Sequence, residues 1–376
     1  MSAAVRAVAA IDLGAVTRNC ERLTRELTGG AELCAVVKAD AYGHGAAECA
    51  AAAAAGGARV LAVATGAEAH ALREAGIQTP IFTMGALTAR ELDLALAARS
   101  EVAAWDPAFL ELIEVRGRAH GVTPRVHVKY DTGMGRLGER DPRVVGELLR
   151  RAASAEGVEL AALWTHFATA DEPGSRYFDE QLEAFGALAD EARAEHPALR
   201  LHAANSAATL REKRAHFDMV RCGIAIYGLD PFQEDPEPRD LEPALALRSY
   251  LAAVKRFGRG DSAGYGQSWR APHETLVGVV PVGYGDGVRR DLTNNGEVLL
   301  GGRRHPVVGT VSMDNLTVDL GPTSEAEVGD EVVLVGAQGE ERILAEEVAR
   351  RLGTINYEVV TSISPRVPRE HQVSKA

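Results

Sequence analysis

The sequence predicts an α/β protein: an N-terminal (β/α)8 barrel followed by a mostly β C-terminal domain. Three observations predict it. Eight short apolar or β-branched runs alternate with Ala/Leu/Glu/Arg-rich helical stretches through the first two thirds of the chain. Eight strand-then-helix units argue for a closed barrel; six or fewer would argue for an open doubly wound sheet. The pattern changes after Tyr227, where the Pro- and acid-rich stretch 230–238 reads as a connector into strand-like runs separated by Gly, Asn and Pro turns. The length, 376 residues, exceeds one ordinary core and sets two domains as the expectation.

The barrel strands are read at 33–38, 60–64, 80–84, 101–105, 125–130, 158–166, 201–204 and 219–222. These are short runs of the length and composition that a buried parallel strand needs. Helical segments lie between them at 66–75, 88–98, 107–120, 141–156 and 177–194; in the last, Leu182, Phe185 and Leu188 have helical spacing. Residues 46–58 are Ala-rich, interrupted by Glu48, and read as a tightly packed helix too short and weakly apolar to cross a bilayer. In the second part, strands are read at 246–255, 275–281, 297–300, 306–311, 315–320 and 331–335, with one amphipathic helix at 343–352. The division that follows is a barrel domain at 11–240 and a β domain at 241–376, with residues 1–10 packing with the latter.

Composition excludes several classes. A net charge of −12 argues against nonspecific nucleic-acid binding. Cys20, Cys34, Cys49 and Cys222 form no C-x-x-C pair, so neither a zinc site nor a disulfide framework is expected, which fits a reducing cytoplasm. Residues 1–10 lack a basic region followed by a long apolar run, so no signal peptide is expected.

The chemistry starts at Cys34-Ala35-Val36-Val37-Lys38-Ala39-Asp40-Ala41-Tyr42-Gly43-His44-Gly45. A lysine closing a buried strand either snorkels to solvent or is placed for amine chemistry. Tyr42 adds a hydroxyl, and Gly43 and Gly45 permit close backbone approach to a ligand. Barrel chemistry sits at the C-terminal ends of the strands. There the fifth strand runs into Lys129, Asp131 and Arg136, the sixth ends in His166, the seventh leads to Asn205 and Ser206, and the eighth ends at Arg221, followed by Gly223 and Ile224. Ser206 and the Gly223 and Ile224 N–H groups suit a phosphate, which such barrels often hold after strands seven and eight. A reactive lysine beside a phosphate site suggests pyridoxal 5'-phosphate.

The stretch Val37 to Gly45 resembles the cofactor-lysine signature of the alanine racemases. The likeness continues, in the family's order, through Lys129-Tyr130-Asp131-Thr132-Gly133-Met134-Gly135-Arg136, Thr165-His166-Phe167-Ala168, Asn205-Ser206, Arg221-Cys222-Gly223-Ile224, Tyr265-Gly266, Gly283-Tyr284-Gly285-Asp286-Gly287 and Ser312-Met313-Asp314. The resemblance implies interconversion of L- and D-alanine through an imine with the cofactor, with D-alanine going to cell-wall peptidoglycan. Removing the α-proton from one face and returning it on the other needs two bases; the resemblance assigns them to Lys38 and to Tyr265 of a partner subunit, hence a head-to-tail homodimer with composite sites. It implies that Arg221 faces the pyridine nitrogen and that His166 holds this arginine. Tyr42, Ser206, Gly223, Ile224 and Tyr357 resemble the phosphate ligands, Asn205 falls within the same cofactor-binding set, and Arg136 resembles the group on the substrate carboxylate and the cofactor's phenolic oxygen. Met313 and Asp314 resemble partner residues lining the substrate pocket, and Tyr284 and Asp171 residues of its access channel. Lys129 would repel Arg136 as an ammonium; in the family it is often carbamylated, and the same is expected here.

Taken singly, these residues have plainer readings. His166 reads as a satisfied core histidine, Arg136 as a surface ion-pair partner, Tyr265 as a turn aromatic and Lys129 as a snorkelling side chain. Supply from five different strand ends reverses those readings. Cys20 and Cys49 read as helix packing, Trp105 and Trp164 as core. Gly133-Met134-Gly135-Arg136-Leu137-Gly138 fits G-x-G-x-x-G but sits in the fifth βα unit, whereas a dinucleotide fingerprint opens the first. An amino-acid decarboxylase of similar layout would carry a β-domain cysteine and a Gly-Gly-Gly loop; this chain has neither. A racemase for serine stays open, and a noncatalytic pyridoxal-phosphate carrier would need no second domain. Asn315 stands where the family more often has Gln.

Overall fold

A computed structural model describes residues 5–374. Residues 1–4, part of the segment expected to lack a signal peptide and to pack with the β domain, lie outside the described residues, as do 375–376 of the expected β domain. The chain divides into two compact units: one of Met1–Ala15, Tyr42–His44 and Tyr227–Ala376, the other of Val16–Ala41 and Gly45–Ile226.

The chain enters by β1 (Val8–Asp12) and α1 (Leu13–Glu26), whose buried Val16, Cys20 and Leu23 form one helical stripe. The barrel unit then follows in βα order. It contains β2 (Glu32–Val36), the single turn α2 (Lys38–Gly43) that leads out of the unit, α3 (Ala46–Ala55), β3 (Val60–Val63), α4 (Gly66–Glu74), β4 (Ile81–Thr83), α5 (Ala89–Ala97), β5 (Glu101–Ala104) and α6 (Pro107–His120). It continues with β6 (Arg125–Lys129), α7 (Pro142–Ser154), β7 (Glu159–Trp164), α8 (Arg176–Glu195), β8 (Arg200–His202), α9 (Ser206–Arg211) and β9 (Met219–Cys222). Strands β2 to β9 form a closed barrel: each pairs in parallel with the next, and β9 pairs with β2, Arg221 opposite Cys34. The helices start where local chemistry says they should. Thr65 and Thr88 close capping boxes with Glu68 and Glu91. Asp106 and Asp141 cap α6 and α7 just before Pro107 and Pro142.

Seven of the eight barrel strands end one or two residues earlier than the sequence reading places them. Val37 N–H makes a last ladder bond to Ala62 O (2.8 Å), and Lys38 already lies beyond the strand. His166 lies two residues past Trp164, and Arg221 inside β9 rather than at its end. At the barrel mouth the backbone leaves the ladder before the apolar run stops. Trp164 is buried, while Trp105 is only half-buried, stacked on Phe109.

The other unit is mostly β. It comprises β10 (Leu245–Tyr250), β11 (Ala253–Phe257), β12 (Ser262–Ala263), β13 (Trp269–Arg270), β14 (Thr275–Val280), β15 (Glu297–Leu300), β16 (Arg303–Pro306), β17 (Leu316–Gly321), β18 (Glu331–Gln338), β19 (Glu341–Ile343), α10 (Ala345–Leu352), α11 (Asn356–Thr361) and β20 (Arg369–Gln372). The main sheet runs β16-β15-β18-β10-β1-β20 with β19 on β18; β11-β14-β17 and β12-β13 form smaller sheets. The expected strand 246–255 breaks in two because buried Leu251 bonds to Asp330 O while Ala252 bonds to Val279 O, which switches the chain between sheets. The expected strand 306–311 is corrected: only Pro306 ends a strand, and Gly309, at φ +75° against the Ala263 carbonyl, takes the chain off the ladder. Ile343 closes β19 instead of opening the helix. Among the described residues no helix is long and apolar enough to cross a membrane.

Helix α4 packs so closely on α5 that a Cβ at Gly66 would lie 1.8 Å from the Glu91 carbonyl oxygen. Gly66→Ala is expected to destabilise the protein by about 2–3 kcal/mol through overpacking, measured as a lowered urea midpoint; an unchanged midpoint would contradict this packing.

Candidate active site

In the barrel unit, the chain leaves β2 and enters a left-handed turn. Ala39, Asp40, Ala41 and Tyr42 have φ of 52–54°, and Gly43 continues at 82°. For L-residues this conformation costs roughly 1–2 kcal/mol each, so the surroundings must overdetermine it. Two carboxylates do part of this. Glu68 Oε1 accepts from Ala39 N–H (2.7 Å), and Asp40 Oδ1 accepts from Ala46 N–H (2.9 Å). Lys38 opens the turn half-buried. Burial and the Arg136 guanidinium depress its pKa, with Glu68 opposing.

Lys129 is 2% exposed, which excludes the plainer reading of it as a snorkelling side chain. Its ammonium nitrogen lies 4.2 Å from the Trp164 ring centroid, a cation–π contact. Burial, then Arg136 and Arg221, push its pKa down to about 7. Arg136 itself is exposed and, among the described residues, makes no ion pair. Its loop is ordered by Asp131, whose carboxylate accepts from Gly133 N–H and Gly135 N–H at 3.0–3.1 Å. Those N–H groups belong to the G-x-G-x-x-G stretch and are thereby already bound. Buried Gln181 of α8 joins this loop to the next, donating to Thr132 Oγ1 (3.1 Å) and His166 O (3.3 Å) and accepting from Ala168 N–H (2.8 Å).

Arg221 is 2% exposed and bonds to four acceptors: Thr165 O (2.7 Å), Ala203 O (2.9 Å), His166 Nδ1 (3.3 Å) and His202 Nδ1 (2.8 Å). His202, absent from the sequence reading, is thus the nearer imidazole. Burial lowers the Arg221 pKa to about 10, so it stays protonated at neutral pH. Behind it runs a buried chain: His202 Nε2 to His127 Nδ1 (3.0 Å), then His127 Nε2 to Glu101 Oε2 (2.5 Å), with Arg125 on the other carboxylate oxygen. A guanidinium only donates and a carboxylate only accepts, so both imidazoles carry their proton on Nε2. Burial raises the Glu101 pKa, but the His127 hydrogen bond and nearby positive charge more than offset it, leaving it lowered. The signal for these groups was the strand period: His127 and Lys129 lie two apart and share the inward face of β6.

Ser206 Oγ, buried, accepts from Gly223 N–H (3.0 Å), which brings the loop after β9 onto the start of α9 beside Ile224. Asn205 caps that helix through Ala208 N–H (2.9 Å). Asp171 is exposed on the loop after β7. In this unit, Lys38, Lys129, Arg136 and Arg221 act on one another electrostatically, against Glu68 and Asp131. Buried Trp164 Nε1–H has no partner among the described residues. A donor set this rich in cations fits a phosphorylated, anionic ligand with a carbonyl for the amine.

In the other unit, Tyr42 lies with Tyr227 and Tyr357, ring centroids 5.2 and 5.9 Å away. Tyr265 sits on a short turn whose carbonyl accepts from Thr310 Oγ1 (2.7 Å), and its side chain is 75% exposed. Met313 and Tyr284 are also exposed. Asp314 pairs with Arg366 (2.7 Å). Asn315 N–H bonds to Ser312 Oγ (3.2 Å).

Residues 11–231 match the model of the alanine racemase N-terminal domain, and residues 244–371 that of the C-terminal domain. The chain is 44% identical to the alanine racemase of Symbiobacterium thermophilum over 363 residues, covering 96% of each. It is 44% identical to that of Streptomyces coelicolor over 383 residues, 98% of this chain and 96% of the relative. Among solved structures, alanine racemase from D-cycloserine producing Streptomyces lavendulae superposes with a TM-score of 0.93 at 39% identity, over 99% of this chain and 98% of that one. The Bacillus anthracis alanine racemase with bound L-Ala-P gives 0.89 at 37% identity, over 98% and 95%.

His127 and His202, buried, and His166, half-buried, all have lowered pKa values, desolvation being the first cause of each and the Arg221 charge the second for His166 and His202. Unfolded histidines take up protons near pH ~6.5, and these folded ones do so only at lower pH. Stability is therefore full above that pH and is lost as pH falls below it, by up to about 1.4 kcal/mol per pH unit per histidine. Urea midpoints measured from pH 7.5 to 5.5 should fall steadily; a flat profile would contradict neutral buried imidazoles.

Proposed function

The chain belongs to the alanine racemase family, and from that premise we propose that it interconverts L- and D-alanine with pyridoxal 5'-phosphate, using Lys38 and Tyr265 as the two bases. The observation that carries this reading is the Lys38 amine: half-buried, depressed by burial and by Arg136, and mounted on a strained turn at the barrel mouth. When bound, pyridoxal phosphate supplies an aldehyde that links to an amine and a ring that takes up charge as the α-proton leaves.

The chain's own groups do the rest. Tyr42, Asn205, Ser206, Gly223, Ile224 and Tyr357 hold the phosphorylated end, and Arg136 takes the substrate carboxylate. Arg221, positive and unable to accept a proton, presents a donor to the ring nitrogen and keeps it unprotonated, which weakens the electron sink and discourages side reactions. His166 and His202 hold Arg221. Lys38 moves the proton on one face. Tyr265, supplied by the partner in a head-to-tail homodimer, serves the other; a free phenol has a pKa near ~10, so positive charge must lower it. The exposure of Tyr265 and Met313 on their unit supports such lending. Met313 and Asp314 line the pocket, and Tyr284 and Asp171 its access channel. We assign the protein to the cytoplasm and its D-alanine to peptidoglycan.

Lys129 is proposed to be carbamylated. A pKa of about 7 leaves much of its amine neutral at physiological pH; the amine nitrogen bonds to carbon dioxide, a proton leaves to solvent, and the resulting anion faces Arg136. Peptide mass analysis under carbon dioxide should show Lys129 heavier by one carbon dioxide, and an unmodified Lys129 would refute this.

Incubation with L-alanine should abolish optical rotation, whereas a steady signal would remove the assignment; L-serine, tested separately, defines breadth. Tyr265→Phe should lose proton exchange from one enantiomer by roughly 10²–10⁴-fold and far less from the other. Equal, slight losses would contradict the two-base scheme.

A further inference from the structure

Two helices of the barrel unit open with the same device. Thr65 and Glu68 close a capping box on α4; Thr88 and Glu91 close one on α5. A capping box needs the glutamate to accept from its own N-cap N–H. Glu91 does this through Oε2 to Thr88 N–H (3.3 Å). Glu68 does it with one oxygen and more: Oε2 accepts from Thr65 N–H (3.1 Å) and also from Ala64 N–H (2.8 Å) at the end of β3. Its second oxygen is left over, and Oε1 takes the Ala39 N–H at 2.7 Å. That is the shortest of its three bonds, and it falls on the residue after Lys38, where the left-handed turn begins at φ +52°. The ladder cannot serve this N–H, because β2 has already ended at Val36. One carboxylate thus ties the end of β3 to the first peptide after the lysine.

We propose that Glu68 is a positioning residue for Lys38: by holding the Ala39 N–H it fixes the start of the turn, and with it the direction of the amine. The proposal rests on the reading of Lys38 as the reactive amine. Glu68 is also, among the described residues, the acidic group that raises the Lys38 proton affinity, against burial and Arg136. Glutamine at 68 has a single acceptor oxygen, so it can satisfy Ala39 or the β3 end, not both, and it carries no charge.

The test compares Glu68→Gln with Glu91→Gln, the same change in the sister capping box. The full-length chain, freed of cofactor with hydroxylamine, is labelled with limiting acetic anhydride across a pH series, and the extent of acetylation at Lys38 is read by peptide mapping. This readout is independent of racemisation, so failure of the functional reading and failure of this proposal stay distinguishable. Glu68→Gln should shift the Lys38 labelling midpoint to lower pH by about half a unit to one unit, while Glu91→Gln leaves it in place. In the holoenzyme, Glu68→Gln should lower kcat about tenfold or more with little change in KM, as misplacement of a reacting group does, and shift the pH profile in the same direction as the labelling. If both variants lose the same thermal stability and neither moves the Lys38 midpoint or kcat, Glu68 is only a helix cap and the proposal is overturned. If Glu68→Gln folds poorly, Thr65→Ala keeps the Glu68 carboxylate while breaking the cap; an unmoved midpoint there supports the proposal, and a midpoint shifted to lower pH overturns it.

Discussion

The barrel unit is arranged around crowded positive charge. Arg136 depresses the proton affinity of Lys38, Lys129 and Arg221, while Glu68 pushes back on Lys38 and Asp131 on Lys129. Like charges held together in partial burial are unstable unless an anion joins them or some give up their proton. Both escapes lead to chemistry. Lys129, its pKa about 7, becomes a partly neutral amine at ordinary pH, Lys38 is shifted in the same direction, and Arg221 stays a cation. On the proposed function, the site's reactivity is a consequence of unfavourable electrostatics sustained by the fold.

Sustaining it takes buried polar groups that the catalytic reading alone would not name. Arg221 is fixed by two backbone carbonyls and two imidazoles, and the chain His202–His127–Glu101 extends that support through the barrel interior towards Arg125. Filling a barrel core with histidines in place of branched aliphatics gives up hydrophobic burial. What it gains is a guanidinium with one orientation and a defined set of tautomers. Phe82, stacked 4.1 Å from His127, keeps that interior packed.

Much of this was legible in the sequence because parallel barrels write their topology plainly. Eight buried runs, each followed by a helix, leave few alternatives, and the structure starts four of those helices at the caps Thr65, Thr88, Asp106 and Asp141. Strand ends were less legible: Val37 is as apolar as Val36, yet the ladder stops between them and Lys38 rides on a turn whose handedness no residue type announces. The β unit was read worst, since β12, β13, β16, β19 and β20 are two to four residues long, and β20 pairs with β1, more than 350 residues earlier in the chain. His202 was missed because a histidine in a three-residue strand carries no periodicity of its own, and its role appears only when β8 lies beside β9.

Two lysines in this unit have depressed proton affinity, and the account rests on one being the cofactor amine and the other not. Lys129 is buried against Trp164; Lys38 is half-buried on its turn. Borohydride reduction of the cofactor-loaded protein, followed by peptide mapping, separates them directly. The account predicts a pyridoxyl group on Lys38 alone. A label on Lys129, or an unlabelled Lys38, would contradict it.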